Sequence, residues 1–492
     1  MHRYTMPRKN TRRAAGALRW RRTKIIATLG PVSASSDMIE KLIAAGVNVV
    51  RINMSHGEPD IHRQTIRRVR RAAQKAGRHI AILLDLCGPK IRVGHFEHGS
   101  ITLKTGRTVT VTTRPVVGRA GLVPSQYRSL HKDVRPGERI LLDDGKLELR
   151  VLAVEGRDVS CRVVEGGVLS DHKGMNLPNS DLSAAALTAK DRKDVQLALE
   201  MQVDFVALSF VRFARDVLQL RRYMKRLGGE IPVISKIERP EALCEIDAIM
   251  EASYGIMIAR GDLGIEMPAE KVPLIQRDLV AKGRQKGVPV IVATQMLESM
   301  MQNSRPTRAE VTDVAGAALL STDAAMLSGE TAVGAFPLQA VKTMDRVLRE
   351  VEQQQWHEGR FAVEPIADRG SKQHVVRESM AHAAVQLARD LEMEAIIVPT
   401  HTGNTARIMA SHRPLAPTVG ACSEAAICRQ MALHWGIVPV RIERSAKRDW
   451  RSICLHISKQ CKLGKKGQDV LLVSGFNDDP AQDEPVLKLL HL

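Results

Sequence analysis

Four clusters of charged or hydroxyl-bearing residues each follow a short apolar run of strand length. They lie at 235–238 (SKIE), 259–264 (ARGDLG), 293–298 (ATQMLE) and 327–331 (LSGET). In a β/α barrel the C-terminal ends of all strands open onto one face, so we expect these clusters to share one site. A lysine, an arginine, carboxylates and hydroxyls suit a metal ion and a phosphoryl group.

Counting the apolar runs tests this expectation. Four earlier runs lie at 24–28, 47–51, 79–84 and 204–208, which brings the total to eight. Their near-continuous apolar character is typical of parallel strands covered on both faces. Helical patterns alternate with them at 37–45, 60–76, 188–201, 215–227, 272–286 and 307–320. The pattern predicts an α/β fold, a (β/α)8 TIM barrel, with a doubly wound open sheet as the alternative.

The repeat changes at two places, which predicts further domains. Between 93 and 178, turn signals separate short alternating segments, as in an inserted all-β lid domain, a small β-barrel. From 357 to 492 a charged connector and four more apolar runs predict a C-terminal α/β domain. Residues 23–92 and 179–356 then form the catalytic barrel, and 1–22 form a basic, solvated N-terminal arm.

Composition argues against several other classes of protein. No apolar run approaches the roughly 18 residues of a membrane span. Seven scattered cysteines without a CxxC pair indicate reduced thiols in a cytoplasmic protein. The net charge of +19 raises the alternative of nucleic-acid binding, but aromatic residues make up only 3% of the chain. Recognition by base stacking is therefore poorly supported.

Taken in order, the motifs of the chain resemble the pyruvate kinase family over nearly its whole length. Besides the four clusters, the matching stretches are 23–31 (TKIIATLGP), 51–57 (RINMSHG), 84–85 (LD), 88–89 (GP), 142–145 (LDDG), 173–178 (KGMNLP), 204–212 (DFVALSFVR) and 305–310 (RPTRAE). The resemblance implies transfer of the phosphoryl group of phosphoenolpyruvate to ADP, giving pyruvate and ATP in glycolysis. It also implies a cytoplasmic homotetramer with a sugar-phosphate or nucleotide effector. The alternative is a magnesium-dependent barrel lyase or aldolase acting on a pyruvate-like substrate.

The resemblance assigns metal and phosphoryl contacts to the strand ends. Glu238 and Asp262 offer the hard oxygen ligands that Mg²⁺ or Mn²⁺ takes. Lys236 is the point charge for the transferring phosphoryl group. Arg51 should contact the phosphate. Gly261, beside Asp262, allows the backbone to approach the substrate carboxylate.

The resemblance also implies a proton donor. Thr294 matches the family's hydroxyl beside the enolate carbon, where a proton must arrive after phosphoryl transfer. A hydroxyl is not a free acid at neutral pH, so water or Glu330 would share the relay. Ser328 and Glu330 are expected to support this site. For the nucleotide, the resemblance indicates His56, Arg92 and Lys173.

One segment departs from the family pattern and changes the expected cation requirement. Asn53, Ser55, Asp85 and the Leu86 carbonyl match a monovalent-cation site, and most members need K⁺ there. The family's glutamate in this segment is replaced by Lys90. A tethered ammonium beside Asp85 and Glu238 would repel a second cation, so we predict that K⁺ is not required. The alternative is a solvated surface lysine.

A second phosphate-like loop lies in the C-terminal region. Residues 400–405 (THTGNT) follow an apolar run and open a helix, which places the hydroxyls and amides of Thr400, Thr402, Gly403 and Thr405 near one point. Relatives bind a sugar-phosphate effector at this position. Here His401 stands where some members have lysine, and the loop at 477–480 (NDDP) is acidic. A helix N-cap without a ligand remains the alternative.

Overall fold

The structure, a computed structural model, describes residues 21–178, 180, 186–358, 372–443, 450–463, 467–476 and 484–492. The arm up to residue 20 and the acidic loop at 477–480 therefore lie outside the described residues. Strand and helix alternate first in β1 (Lys24–Leu29), α1 (Ser36–Ala44), β2 (Val49–Asn53), α2 (Pro59–Lys75) and β3 (Ala81–Asp85). β1 and β3 are buried along their whole length, as parallel barrel strands covered on both faces must be.

The inserted region consists almost entirely of β-strands. Its elements are β4 (Ser100–Leu103), β5 (Thr108–Thr112), β6 (Leu122–Pro124), α3 (Leu130–Asp133), β7 (Arg139–Leu142), β8 (Leu147–Glu155), β9 (Asp158–Glu165), β10 (Gly167–Ser170) and β11 (Met175–Asn176). They form a two-stranded sheet, β10-β4, and a six-stranded sheet in the order β11-β7-β8-β9-β5-β6. Gly137 and Gly145 have φ of 90° and 84° at turns between strands, a region that favours glycine.

The chain then returns to alternating helices and strands. These are α4 (Ala189–Glu200), β12 (Phe205–Leu208), α5 (Ala214–Arg226), β13 (Val233–Ile237), α6 (Pro240–Cys244), α7 (Ile246–Ala252), β14 (Gly255–Ala259), α8 (Arg260–Glu266), α9 (Val272–Gln285), β15 (Val290–Ala293), α10 (Arg308–Leu319), β16 (Ala324–Leu327), α11 (Gly329–Ala332) and α12 (Pro337–Glu358). Eight strands close a barrel in the order β1-β16-β15-β14-β13-β12-β3-β2. The predicted barrel is confirmed, and the open sheet is not formed.

The C-terminal region has an α/β fold, as predicted. It contains α13 (Lys372–Asp390), β17 (Ala395–Pro399), α14 (Asn404–Ser411), β18 (Thr418–Cys422), α15 (Ala425–Met431), β19 (Ile437–Arg441), α16 (Trp450–Cys461), β20 (Asp469–Ser474) and β21 (Val486–His491). The strand order is β19-β18-β17-β20-β21. The sequence did not predict β21, an antiparallel edge strand with several exposed residues. Edge strands lack the continuous apolar run that marks covered parallel strands.

By compactness the chain divides into two units. The first comprises residues 1–52, 60–83 and 279–492, and the second comprises 53–59 and 84–278. The inserted β-strands and the ends of β12, β13 and β14 belong to the second unit, whereas the ends of β15 and β16 and the C-terminal sheet belong to the first. In the described part of the chain, no helix is long and apolar enough to cross a membrane.

The start of the first unit corrects one expectation. Arg21 and Arg22, which we placed in the solvated arm, are 7% and 3% exposed. The Glu352 carboxylate accepts the backbone N–H groups of Arg22 and Thr23 at 2.6 and 2.7 Å, and Arg21 donates to the Gly46 carbonyl at 2.7 Å. These two arginines are therefore part of the folded unit, because buried oxygen atoms satisfy many of their donors.

Candidate active site

A nearly buried lysine lies among oxygen atoms at the end of β13 in the second unit. The ammonium of Lys236 lies 2.7 Å from Glu238 Oε1, 2.7 Å from Ser209 Oγ and 3.5 Å from Asp85 Oδ1. The lysine side chain is 12% exposed, and the two carboxylate side chains are 2% and 1% exposed. One ammonium therefore lies against two buried carboxyl groups.

Glu238 and Asp262 have the chemistry of a divalent metal site. Burial raises the pKa of the Glu238 carboxyl, and the charge of Asp262 raises it further, while Lys236 opposes the shift. The backbone N–H of Phe210, a residue with φ of 55°, donates to Glu238 Oε2 at 2.7 Å. A divalent cation that prefers hard oxygen ligands would relieve the repulsion between these two carboxylates, so the pair fits Mg²⁺.

The metal would need ligands from outside this pair. Among the residues that the structure describes, no group of three or more histidine, cysteine, aspartate or glutamate side chains is placed to hold a metal ion. Mg²⁺ commonly keeps waters and takes substrate phosphates beside one or two protein carboxylates. Asp262 lies in the first turn of α8, directly after β14, and Gly261 precedes it in the same turn.

The end of β15, in the first unit, is conformationally strained. Thr294 and Gln295 follow the strand directly and have φ of 65° and 53°. A β-branched residue such as threonine rarely adopts positive φ. The Thr294 hydroxyl donates to the Ala293 carbonyl at 2.7 Å. Such strain persists where the surrounding structure imposes it, most often at functional sites, which supports the predicted role of Thr294.

Glu330 joins the loops that follow β15 and β16. The residue is 3% exposed, and its carboxylate accepts the backbone N–H of Leu297 at 3.0 Å and that of Ser328 at 2.7 Å, one on each oxygen. Both oxygens are thus engaged by backbone, which suits Glu330 to positioning better than to proton transfer. By contrast, the buried Ser328 Oγ has no hydrogen-bond partner among the described residues. A bound substrate or water would satisfy it.

Arg51 lies in β2 of the first unit and is held by its neighbours. Its Nη1 donates to Thr28 Oγ1 at 3.0 Å, and the Thr28 hydroxyl donates to the Leu327 carbonyl at 2.8 Å. Thr28 lies in β1 and Leu327 at the end of β16, so this chain of bonds joins three strand ends. The sequence did not single out Thr28.

The three residues predicted to contact nucleotide lie in the second unit, but no hydrogen bond or ion pair between described residues joins them. Lys173 pairs with Asp143 Oδ1 at 2.7 Å. This contact lowers the pKa of Asp143 and raises that of Lys173. Arg92 donates to the His172 carbonyl at 2.8 Å, and His56 is exposed just after β2.

The residues predicted to hold a monovalent cation make separate contacts in the second unit. Asn53 Oδ1 accepts the Ser55 N–H at 3.1 Å, and the Leu86 carbonyl accepts the Ser209 hydroxyl at 2.8 Å. Asp85 is 1% exposed and faces Lys236.

Lys90 departs from the prediction. It is exposed, and its ammonium forms no ion pair with any described residue. It lines a cavity shared with Asp144, Asp262 and Glu266. The expected position beside Asp85 and Glu238 is therefore wrong for this conformation, because Lys236 occupies it.

The sequence reasoning missed Ser209 and Arg239 as site residues. Ser209 directly follows β12, so the rule that polar residues at strand ends form the site would have found it. Arg239 is 3% exposed and pairs with Glu241 at 2.7 Å and Glu266 at 3.7 Å. Burial raises the pKa of the Glu266 carboxyl, and its Oε2 lacks a partner among the described residues. No sequence pattern marks this pair.

The loop before α14 forms hydrogen bonds within itself. Gly403 has φ of 84° and precedes the helix, and its N–H donates to Thr400 Oγ1 at 3.0 Å. The Asn404 N–H donates to Thr402 Oγ1 at 3.4 Å, and Thr405 is buried. These hydroxyls therefore bond to the loop's own amides, as they would in a helix cap, so an anion would have to compete with them.

Comparison with known proteins matches most of the chain. The family model "Pyruvate kinase, barrel domain" matches residues 20–341, and "Pyruvate kinase, alpha/beta domain" matches 378–484. A pyruvate kinase of Corynebacterium efficiens is 45% identical over 85% of this chain and 86% of its own length. One of Mycobacterium tuberculosis is 42% identical over 92% and 95%. A crystal structure of a pyruvate kinase from Cryptosporidium parvum has a TM-score of 0.87, with 35% identity and 96% of each chain covered.

Proposed function

The chain belongs to the pyruvate kinase family and transfers the phosphoryl group of phosphoenolpyruvate to ADP, giving pyruvate and ATP in glycolysis; on this premise we propose how its residues divide the work. The observation that carries the assignment of roles is the nearly buried Lys236, held by two carboxylates and a hydroxyl. The lyase or aldolase alternative loses its basis, because both matched family models are those of pyruvate kinase.

Lys236 faces the transferring phosphoryl group in this proposal. Glu238 and Asp262 hold Mg²⁺ or Mn²⁺, which neutralises phosphate charge when bound. Because Glu238 and Ser209 already fix the ammonium in place, little reorganisation is needed when negative charge moves past it. Arg51, fixed by Thr28, binds the phosphate of phosphoenolpyruvate. The backbone at Gly261 receives the substrate carboxylate.

Thr294 delivers the proton that converts the enolate to pyruvate. After phosphoryl transfer the methylene carbon of the enolate needs one proton, and the Thr294 hydroxyl passes it on from a water molecule. The strained backbone holds that hydroxyl in place. Glu330 fixes the two loops, and the unpartnered Ser328 Oγ offers a hydrogen bond to substrate or water.

Lys173 and Arg92 bind the nucleotide phosphates, with His56 as the third contact. Lys173 exchanges Asp143 for phosphate, because a phosphate carries more charge than the carboxylate that now pairs with it. The loop at Thr400, Thr402, Gly403 and Thr405 binds a phosphorylated effector. The chain acts as a cytoplasmic homotetramer, and its seven free cysteines agree with a reducing compartment.

A coupled assay tests the reaction directly. The purified chain with saturating phosphoenolpyruvate, ADP and Mg²⁺ should form pyruvate, measured by NADH oxidation with lactate dehydrogenase. Ribose 5-phosphate and AMP are added in parallel as effectors. Absence of pyruvate under all of these conditions would overturn the assignment.

The same assay tests the cation requirement. We predict that turnover is largely independent of K⁺. Lys90 does not reach Asp85 and Glu238, but it lines the cavity that contains Asp262, where its ammonium supplies a tethered cation to substrate anions that enter. Reactions are run in a buffer with a bulky organic cation, and K⁺ is then added to tens of millimolar. The Lys90→Glu variant should lose activity without K⁺ and regain part of it with K⁺. A many-fold rise of the native chain with K⁺, or full activity of the variant without it, would show that Lys90 is only a surface residue.

A further inference from the structure

Two histidines face each other where the chain enters and leaves the inserted β region. The Nε2 atoms of His95 and His172 are 3.2 Å apart, and the ring centroids are 4.2 Å apart with planes at 76°. The His95 side chain is 68% exposed, and His172 is partly exposed. The pair therefore lies at the surface of the second unit.

The other ring nitrogens are held by neighbours. Asp171 Oδ2 lies 3.0 Å from His95 Nδ1, and its Oδ1 accepts the Phe96 N–H at 2.8 Å. The side-chain amide of Gln126 lies 3.0 Å from His172 Nδ1. A carboxylate on Nδ1 fixes the tautomer that leaves Nε2 as a lone pair, as at histidine metal ligands. Half a turn of the Gln126 amide presents its oxygen to Nδ1–H and frees Nε2 of His172 in the same way.

We propose that His95 and His172 bind a Zn²⁺ ion through their Nε2 atoms, with water completing the coordination. Two imidazole nitrogens on a tetrahedral Zn²⁺ lie roughly 3.4 Å apart, given bonds of about 2.0–2.1 Å. The observed Nε2 separation of 3.2 Å is close to this value. The ring centroids, now 4.2 Å apart, would move to about 5 Å, and the exposed His95 ring has room to rotate. Mg²⁺ prefers oxygen ligands, so this site is separate from that of Glu238 and Asp262. With two protein ligands the ion is exchangeable.

A bound ion would link the two segments by which the chain enters and leaves the inserted β region. The Val93 N–H donates to the Lys173 carbonyl at 3.0 Å, and the His172 N–H donates to the Gly94 carbonyl at 3.4 Å. These backbone bonds already form a narrow two-stranded neck. Zn²⁺ adds a side-chain link across it, which restrains the inserted β region and the segments that carry Arg92 and Lys173.

Zinc binding measured in the presence of saturating Mg²⁺ tests the site. Titration calorimetry on the full chain should show one equivalent that weakens at least tenfold in His95→Gln and in His172→Asn. Asparagine suits position 172, where φ is 57°. The Asp171→Asn variant should bind roughly 10–100-fold more weakly, because it loses the group that orients His95. The control His98→Gln alters another exposed histidine nearby and should bind as the native chain does.

Hydrogen exchange then tests whether bound Zn²⁺ restrains the two segments that it links. Zn²⁺ should slow exchange of the Phe96 and His172 amides in the native chain and leave it unchanged in His95→Gln. Unaltered zinc binding in both histidine variants, or a loss in only one, would overturn the two-histidine site. A pair that only shares a hydrogen bond would bind no zinc at this neck. Zinc binding without slower amide exchange would show that the ion does not restrain these segments.

Discussion

The two ends of the barrel strands hold buried charge in different ways. Before β16, Asp323 Oδ2 accepts the Val290 N–H and a guanidinium N–H of Arg413, both at 3.0 Å, and Oδ1 accepts the Trp435 N–H at 3.2 Å. Arg413 is 2% exposed and also donates to the carbonyls of Ser321 and Ala410, at 2.9 and 2.6 Å. Every carboxylate oxygen in this cluster has a protein partner.

At the strand ends that carry the proposed active site, the described residues include a buried hydroxyl without a partner and a strained backbone. Lys236 faces two carboxylates, and burial raises the pKa of Glu238. The buried Ser328 Oγ lacks a partner among the described residues, and Thr294 has positive φ. A buried polar group without a partner and a strained backbone both reduce stability, so they are most often found where a ligand binds. The Asp323 cluster of the first unit is saturated by protein partners, whereas our proposal gives the Lys236 cluster of the second unit a phosphoryl group and a metal ion to bind.

The largest effect that would distinguish the two clusters is on stability. Arg413→Met should lower the free energy of unfolding by roughly 3–5 kcal/mol, because it leaves Asp323 buried without its cation. Catalytic turnover of the folded fraction should stay unchanged. The measurement is urea unfolding followed by tryptophan fluorescence, with Arg221→Met as control. Arg221 forms an exposed pair with Glu230, worth about 0–1 kcal/mol. A loss no larger than that of the control would remove the contrast.

Lys236→Met should differ from Arg413→Met in its effect on catalysis. Turnover should fall by a factor that corresponds to about 2–4 kcal/mol or more, because the ammonium stabilises charge on the moving phosphoryl group. Steady-state kinetics separates kcat from KM, and Lys41→Met, at an exposed helix pair, is the control. An unchanged kcat with a raised KM for phosphoenolpyruvate would show that Lys236 only binds substrate.

Lys24 tests the cost of burial at the N-terminal end of β1. Its ammonium donates to the Ile437 carbonyl at 2.7 Å, and burial lowers its pKa to about 7. The unfolded value is about 10.4, so between these values the unfolded chain binds more protons and stability rises with pH. From pH 7 to 9 the native chain should gain about 2–3 kcal/mol relative to Lys24→Met. A difference that stays constant with pH would mean that Lys24 remains charged when folded.

Much of this could be predicted from the sequence, for physical reasons that particular elements show. Covered strands need apolar side chains on both faces, so runs such as 204–208 marked the barrel strands. The predicted helix at 188–201 differs by one residue at each end from α4, which begins after Thr188, a side chain that caps it. Local rules therefore suffice where neighbours in sequence determine the structure.

Contacts distant in sequence could not be predicted in the same way. Which cation faces Asp85 depends on side-chain reach across two strands, and Lys236 rather than Lys90 occupies that place. Asp323 bonds to Arg413, 90 positions further along the chain, and to Trp435, 112 positions further along. No periodicity in the sequence encodes such pairings. Residue roles were predicted through family resemblance, whereas the partners of each residue emerged only from the structure.

The smallest expected effect concerns Ser209, the hydroxyl that the sequence reasoning missed. Its oxygen accepts from Lys236 at 2.7 Å and its proton goes to the Leu86 carbonyl at 2.8 Å, so it fixes the ammonium from one side. Ser209→Ala should lower kcat about five- to tenfold, as expected for one hydrogen bond of about 1–1.5 kcal/mol. Ser235→Ala is the matched control, because that buried hydroxyl bonds Ser253 instead of Lys236. If the two variants reduced kcat equally, general loosening of β13 would explain both, and the contrast between a site held ready for substrate and a saturated structural cluster would lose its sharpest support.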